Sequence, residues 1–111
     1  MELTLNKSDG HVTRISLSGK LDVPGEEAIG DEFRHLIESN NTHFLIDMSQ
    51  VSYLASLGIR LLFAGAKALS ADGKKLVVLD PQPMVEETLM SSGTAKLVPI
   101  AHGEDEALGL L

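Results

Sequence analysis

Two hydrophobic periods run through the chain, and the change from one to the other is sharpest between Phe44 and Leu69. Phe44-Leu45-Ile46-Asp47-Met48 is a nearly continuous apolar run of strand length, the pattern of a central strand covered on both faces. Ser49 to Ala55 reads as a loop. From Leu57 the period changes: Gly58, Leu61, Leu62, Gly65, Ala68 and Leu69 recur at three- and four-residue steps, one stripe of a helix ending near Ala71. Ser56 stands at the N-cap position, where its hydroxyl would accept a backbone N–H that the first turn leaves unpaired.

The rest of the chain is read in the same way. Leu3 and Leu5 alternate with Thr4 and Asn6, Ser8-Asp9-Gly10 supplies turn residues, and a return strand runs from His11 to Ser18. Gly19 to Gly25 breaks the pattern, with Asp22 near the start of a helix and Pro24 suited to an early helical position. That helix reaches about Ser39 and faces inward with Ile29, Phe33, Leu36 and Ile37. After the second helix, Asp72 to Lys75 turns into the apolar strand Leu76–Leu79. A shorter helix follows, with Met84, Val85, Thr88 and Leu89 on one side and Gly93 as its left-handed terminator. Lys96 to Ile100 offers a last strand, placed at a sheet edge by Pro99, and Glu104 to Leu108 a last helical turn or two. The order β-β-α-β-α-β-α-β-α predicts one α/β domain over residues 1–111. It is built on a mixed, mostly parallel sheet of about five strands with about four helices.

Composition narrows the function. A hydrophobic share of 43% in 111 residues fits one soluble core, and the absence of cysteine removes disulfides and thiolate metal sites. A net charge of −7 opposes nonspecific nucleic-acid binding, and 4% aromatic residues supply no stacking platform for single strands. No apolar run has the length of a membrane span, and Met1 to Asn6 lacks the features of a signal peptide, so a cytoplasmic protein without membrane insertion is expected.

His11, His35, His43 and His102 show no ligand spacing, so neither a metal nor a cofactor is expected. Ser56, His43 and Asp47 would supply a hydrolase set, but no Gly-x-Ser-x-Gly elbow surrounds the serine and a non-enzyme is the expectation. At Ser56 two readings stand: a simple helix cap, or a phosphate acceptor at the positive end of a helix with Arg60 four residues along as partner. The stripe of this helix leaves Arg60, Phe63 and Lys67 on its other side, with Leu57 beside the cap. Leu57 and Phe63 therefore face either a neighbouring helix or solvent, and in solvent they would anchor an interaction surface.

Gly19-Lys20-Leu21-Asp22, Ile46 to Tyr53, Gly73 to Leu79 and Ser91-Ser92-Gly93 to Leu97 together resemble the landmarks of the bacterial anti-sigma factor antagonists, single STAS domains, over nearly the whole chain. The resemblance implies a cytoplasmic protein-interaction module that binds an anti-sigma factor with serine kinase activity and frees a sigma factor. In that family the serine of an Asp-Ser-Ser/Thr-Gly motif is phosphorylated by the partner, which ends binding. The serine matches Ser56 and the glycine Gly58, whereas Ala55 replaces the aspartate, Leu57 the second hydroxyl residue and Arg60 a usual second glycine. The residues implied in partner binding are Asp22, Tyr53, Ala55, Ser56, Leu57, Gly58, Arg60 and Phe63, with Ser56 as phosphoacceptor. The departures keep a second reading open, a constitutive STAS subunit that binds another regulatory protein, or sits in a regulatory or transport assembly, without phosphorylation. Oligomeric state is left open.

Overall fold

Strand pairing begins with a hairpin whose turn is held by Asp9, its carboxylate accepting the amides of His11 at 2.9 Å and Val12 at 2.8 Å. The computed structural model describes residues 1–111. β1 (Glu2–Ser8) runs antiparallel to β2 (Val12–Leu21), and α1 (Val23–Ser39) leads into β3 (His43–Leu54). α2 (Ser56–Ala71), β4 (Leu76–Leu79), α3 (Pro83–Ser91), a 3-10 turn (Thr94–Lys96), β5 (Ile100–Ala101) and α4 (Glu104–Gly109) complete the chain. The sheet order is β1-β2-β3-β4-β5, and every pair after the first is parallel. This is the mixed α/β sheet expected from the hydrophobic pattern.

Sequential order lets the crossover helices cover one face. Ile29, Phe33 and Ile37 of α1, Leu61, Leu62, Ala66 and Leu69 of α2, and Val85 and Leu89 of α3 share a core with Ile15, Leu17, Phe44, Ile46, Met48 and Val78. Each fully buried side chain of this size contributes about 1.5–3 kcal/mol by leaving water. α1 and α2 meet at Gly65, where a Cβ would lie 2.9 Å from the Phe33 ring. The opposite face carries a smaller cluster, Val12, Leu45, Val77, Ala101 and Ala107, closed by α4. No helix is long and apolar enough to cross a membrane.

The structure corrects several expectations. β3 does not end at Met48 but continues through Leu54, because β2 also extends through Gly19-Lys20-Leu21 and gives Val51, Tyr53 and Leu54 partners. Register shifts between Ser16 and Ser18 and between Gly19 and Lys20 break the alternation, which is why both extensions read as irregular. The last strand is Ile100–Ala101 rather than Lys96–Ile100: Thr94 and Lys96 form the 3-10 turn, with the Thr94 carbonyl accepting the amides of Leu97 and Val98. On α2 the buried small residue is Ala66 while Ala68 is exposed, and on α3 Val85 and Leu89 are buried while Met84 is exposed. Gly93 has φ +78 directly after α3, the left-handed terminator expected there.

Candidate functional site

The carboxyl ends of β2 and β3 lie side by side, so the amino ends of α1 and α2 emerge at the same end of the sheet. Lys20 is opposite Tyr53, Leu21 is opposite Leu54, and the Ala55 amide donates to the Leu21 carbonyl at 3.0 Å. Asp22 caps α1, its carboxylate accepting the Gly25 amide at 2.9 Å. Gly58 closes the junction from α2. A Cβ there would lie 2.6 Å from Leu21 Cγ, 2.8 Å from the Leu21 carbonyl oxygen and 2.9 Å from Leu54 Cδ1. Only a residue without a side chain lets α2 start this close to β2.

The cap of α2 differs from the expectation. Ala55, extended at φ −98 and ψ 172, is the N-cap, and no side chain caps the helix. Ser56 is displaced into the first helical position because β3 runs on to Leu54 and Ala55 is held by its bond to Leu21. Its hydroxyl is exposed and bonded to no protein group. The first turn also contains no acidic residue, so nothing offsets the positive end of the helix except solvent.

Helical geometry places Ser56, Arg60, Phe63 and Lys67 in one stripe along α2, since steps of four and three residues return to nearly the same angle. All four are exposed, Phe63 to 41%. Of the two readings for Phe63, solvent exposure is the one that holds. Leu57 is half-buried beside the stripe, and Tyr53 is 52% exposed at the end of β3. Asp22 and Gly58 are different in kind: the first is engaged as a cap and the second is buried, so both shape this surface without presenting side chains to it.

Val23 was not singled out in the sequence, yet it is 54% exposed at the first position of α1, beyond the same β2 end. The signal was available, since an aliphatic residue between a capping Asp22 and Pro24 occupies a first turn where polar and acidic residues are favoured. Arg60 is free of any ion pair, whereas Arg14 is paired with Glu104 and Arg34 with Glu26 and Asp31.

The hydrolase set is not assembled. His43 is the first residue of the 12-residue strand β3 and Ser56 lies past its last, so the two sit at opposite ends of the strand. His43 Nδ1 accepts the Lys75 amide at 3.0 Å, and Asp47 accepts the Ser49 amide at 2.9 Å. Sequence spacing also does not show that His11, in the turn before β2, and His43, at the start of β3, are neighbours, their rings edge to face with centroids 5.3 Å apart. With one nitrogen of His43 taken by the backbone and no third ligand beside them, the pair is not arranged as a metal site.

The family described as "Mlab, STAS domain" matches residues 5–99. BtrV of Bordetella bronchiseptica, provisionally named an anti-sigma factor antagonist, is 26% identical over 107 residues, covering 96% of this chain and 91% of its own. The anti-sigma F factor antagonist of Paenibacillus polymyxa is 25% identical over 95 residues, covering 85% of this chain and 81% of its own. Unphosphorylated SpoIIAA, an anti-sigma factor antagonist, has the same fold with a TM-score of 0.79 at 23% identity, covering 96% of this chain and 93% of its own. The phosphorylated form of Bacillus SpoIIAA gives a TM-score of 0.72 at 22% identity, covering 97% of each chain. The chain belongs to the STAS-domain family.

Proposed function

We propose that this protein is a non-enzymatic, cytoplasmic anti-sigma factor antagonist. It docks on an anti-sigma factor with serine kinase activity through the end of the sheet where α1 and α2 begin, and phosphorylation of Ser56 ends the docking. The observation that carries this reading is the free, exposed hydroxyl of Ser56, standing beside the apolar groups of Val23, Tyr53, Leu57 and Phe63. Apolar anchors beside a single arginine are the composition of an interface. A phosphate on Ser56 would bring about two negative charges. In the free protein the uncapped helix end and Arg60 favour them; inside an apolar interface they impose desolvation and repulsion. Relatives named as anti-sigma factor antagonists, and SpoIIAA solved in both phosphorylation states, support the reading.

Ala55 favours a second reading. A helix start with no side-chain cap, next to a half-buried Leu57, is also the surface of a constitutive STAS subunit that binds its partner without phosphate. Paired baits distinguish the two. Wild-type protein and Ser56→Asp are used to capture partners from lysate of the source organism, and the captured proteins are identified by mass spectrometry. An ATP-binding serine kinase retained by wild type and lost by Ser56→Asp supports the switch. The same partner retained equally by both baits overturns it in favour of the constitutive subunit.

A further inference from the structure

At the opposite end of the sheet from Ser56, the turn before β4 and the segment before β5 enclose a cleft of about 320 Å³. Three lysines line it, Lys74, Lys75 and Lys96, and no carboxylate does. That is one third of the chain's 9 cationic residues gathered in one place in a protein of net charge −7. The ion pairs of the molecule are formed by Arg14, Arg34 and His102, and none involves a lysine. Between the lysines the walls are apolar, with Leu97, Pro99 and Leu110 only partly covered.

Like charges held over apolar walls repel one another, and the low polarizability of the walls strengthens their field relative to open solvent. An anion relieves that repulsion, and an apolar body attached to it removes the Leu97, Pro99 and Leu110 surface from water. A volume near the lower bound of small-molecule sites suits a compact ligand. Lys75 already directs its Nζ to the Leu110 carbonyl at 3.0 Å, which ties the far wall to the cationic rim. His43 accepts the Lys75 amide and reports the same field: its imidazole is held below its usual range first by burial and then by the charge of Lys74.

We propose that this cleft is a binding site for a small amphipathic anion, a phosphate or carboxylate head on a short apolar body, with Lys74 and Lys96 holding the head against Leu97, Pro99 and Leu110. The site is independent of the docking surface at Ser56 and does not rest on it. The test uses the full chain and n-octyl phosphate below its micellar concentration, followed by NMR of amides and methyl groups. Saturable shifts confined to Leu76, Leu97, Leu110 and the neighbouring lysines are expected, together with a rise in the His43 titration as the anion offsets Lys74. Inorganic phosphate and n-octanol should each bind at least about tenfold more weakly, since each lacks one half of the interaction. The double variant Lys74→Gln/Lys96→Gln, its fold checked by its amide spectrum, should lose about tenfold or more in affinity. Lys7→Gln, on the opposite edge strand, should bind as wild type. Absence of saturable shifts, equal affinity for n-octanol or inorganic phosphate, or wild-type affinity in the double variant would overturn the proposal.

Discussion

Ser56 lies one position past the cap, and that offset changes what its hydroxyl does. A capping serine satisfies an amide of the first turn, and losing it costs about 1 kcal/mol. Ser56 satisfies none, so Ser56→Ala should change stability by less than about 0.5 kcal/mol, within the range of ordinary surface substitutions. Ala55 is the position where a cap is missing, and its extended backbone at φ −98 and ψ 172 is already that of a capping residue. Ala55→Asp should therefore stabilise the protein by about 1 kcal/mol, through a new bond to the first-turn amides and a favourable charge at the positive helix end. Urea denaturation of the two variants checks both values. A loss near 1 kcal/mol for Ser56→Ala would return Ser56 to the capping role that its neighbours in sequence suggest.

The junction of β2, β3 and α2 is where elements constrain one another most tightly. A methyl group at Gly58 would meet the Leu21 carbonyl oxygen at 2.8 Å, and a backbone atom within a strand has little room to move. Gly58→Ala should destabilise by about 2 kcal/mol despite alanine's better helix propensity. It should also shift the amide signals of Leu21 and Ala55 in the NMR spectrum. Unchanged stability would mean that α2 can start farther from the sheet.

Elements with one clean period were readable from sequence. The strand Leu76–Leu79 and the helices α1 and α2 were placed from their apolar residues, because each buries a single continuous stripe. β3 beyond Met48 was not, because Ser49, Gln50, Ser52 and Tyr53 carry no apolar alternation, and their strand geometry comes from the bulged partner β2. The same extension moves the cap of α2 from Ser56 to Ala55. For the candidate site, the resemblance names Tyr53 and helix phase turns Arg60 and Phe63 outward, and all three are exposed. Val23 is signalled only by being aliphatic in a first turn that favours polar residues, and its exposure depends on how α1 leaves the sheet.

At the scale of the whole molecule, two histidines set opposing pH dependences. His102 is raised above the usual 6.5 by its hydrogen bond to Glu86 at 2.8 Å. A raised folded value adds stability that is fully present below 6.5 and is lost as pH rises through that value; because the pair is exposed, the effect is small. His43 is lowered, chiefly by burial and next by Lys74, so the unfolded chain takes up its proton more readily. Its contribution is present above 6.5 and is lost as pH falls. In His102→Gln the gain from the Glu86 pair is gone, so between 6.5 and the raised His102 value the urea midpoint of the variant should rise less on acidification than that of wild type. Parallel curves for the two proteins would show that the His102–Glu86 pair adds nothing to the fold.

Under the proposed function, the end of the sheet at Ser56 docks a partner, and one added phosphate there changes the balance between solvent and interface. Calorimetric titration of the captured kinase partner against wild type, Ser56→Ala and Ser56→Asp tests that claim most directly. The account predicts that Ser56→Ala binds within about threefold of wild type, because the hydroxyl holds nothing in the free protein, whereas Ser56→Asp loses at least about tenfold through charge burial at the apolar contact. Equal affinity of Ser56→Asp and Ser56→Ala would contradict a phosphate-controlled interface at this end of the sheet.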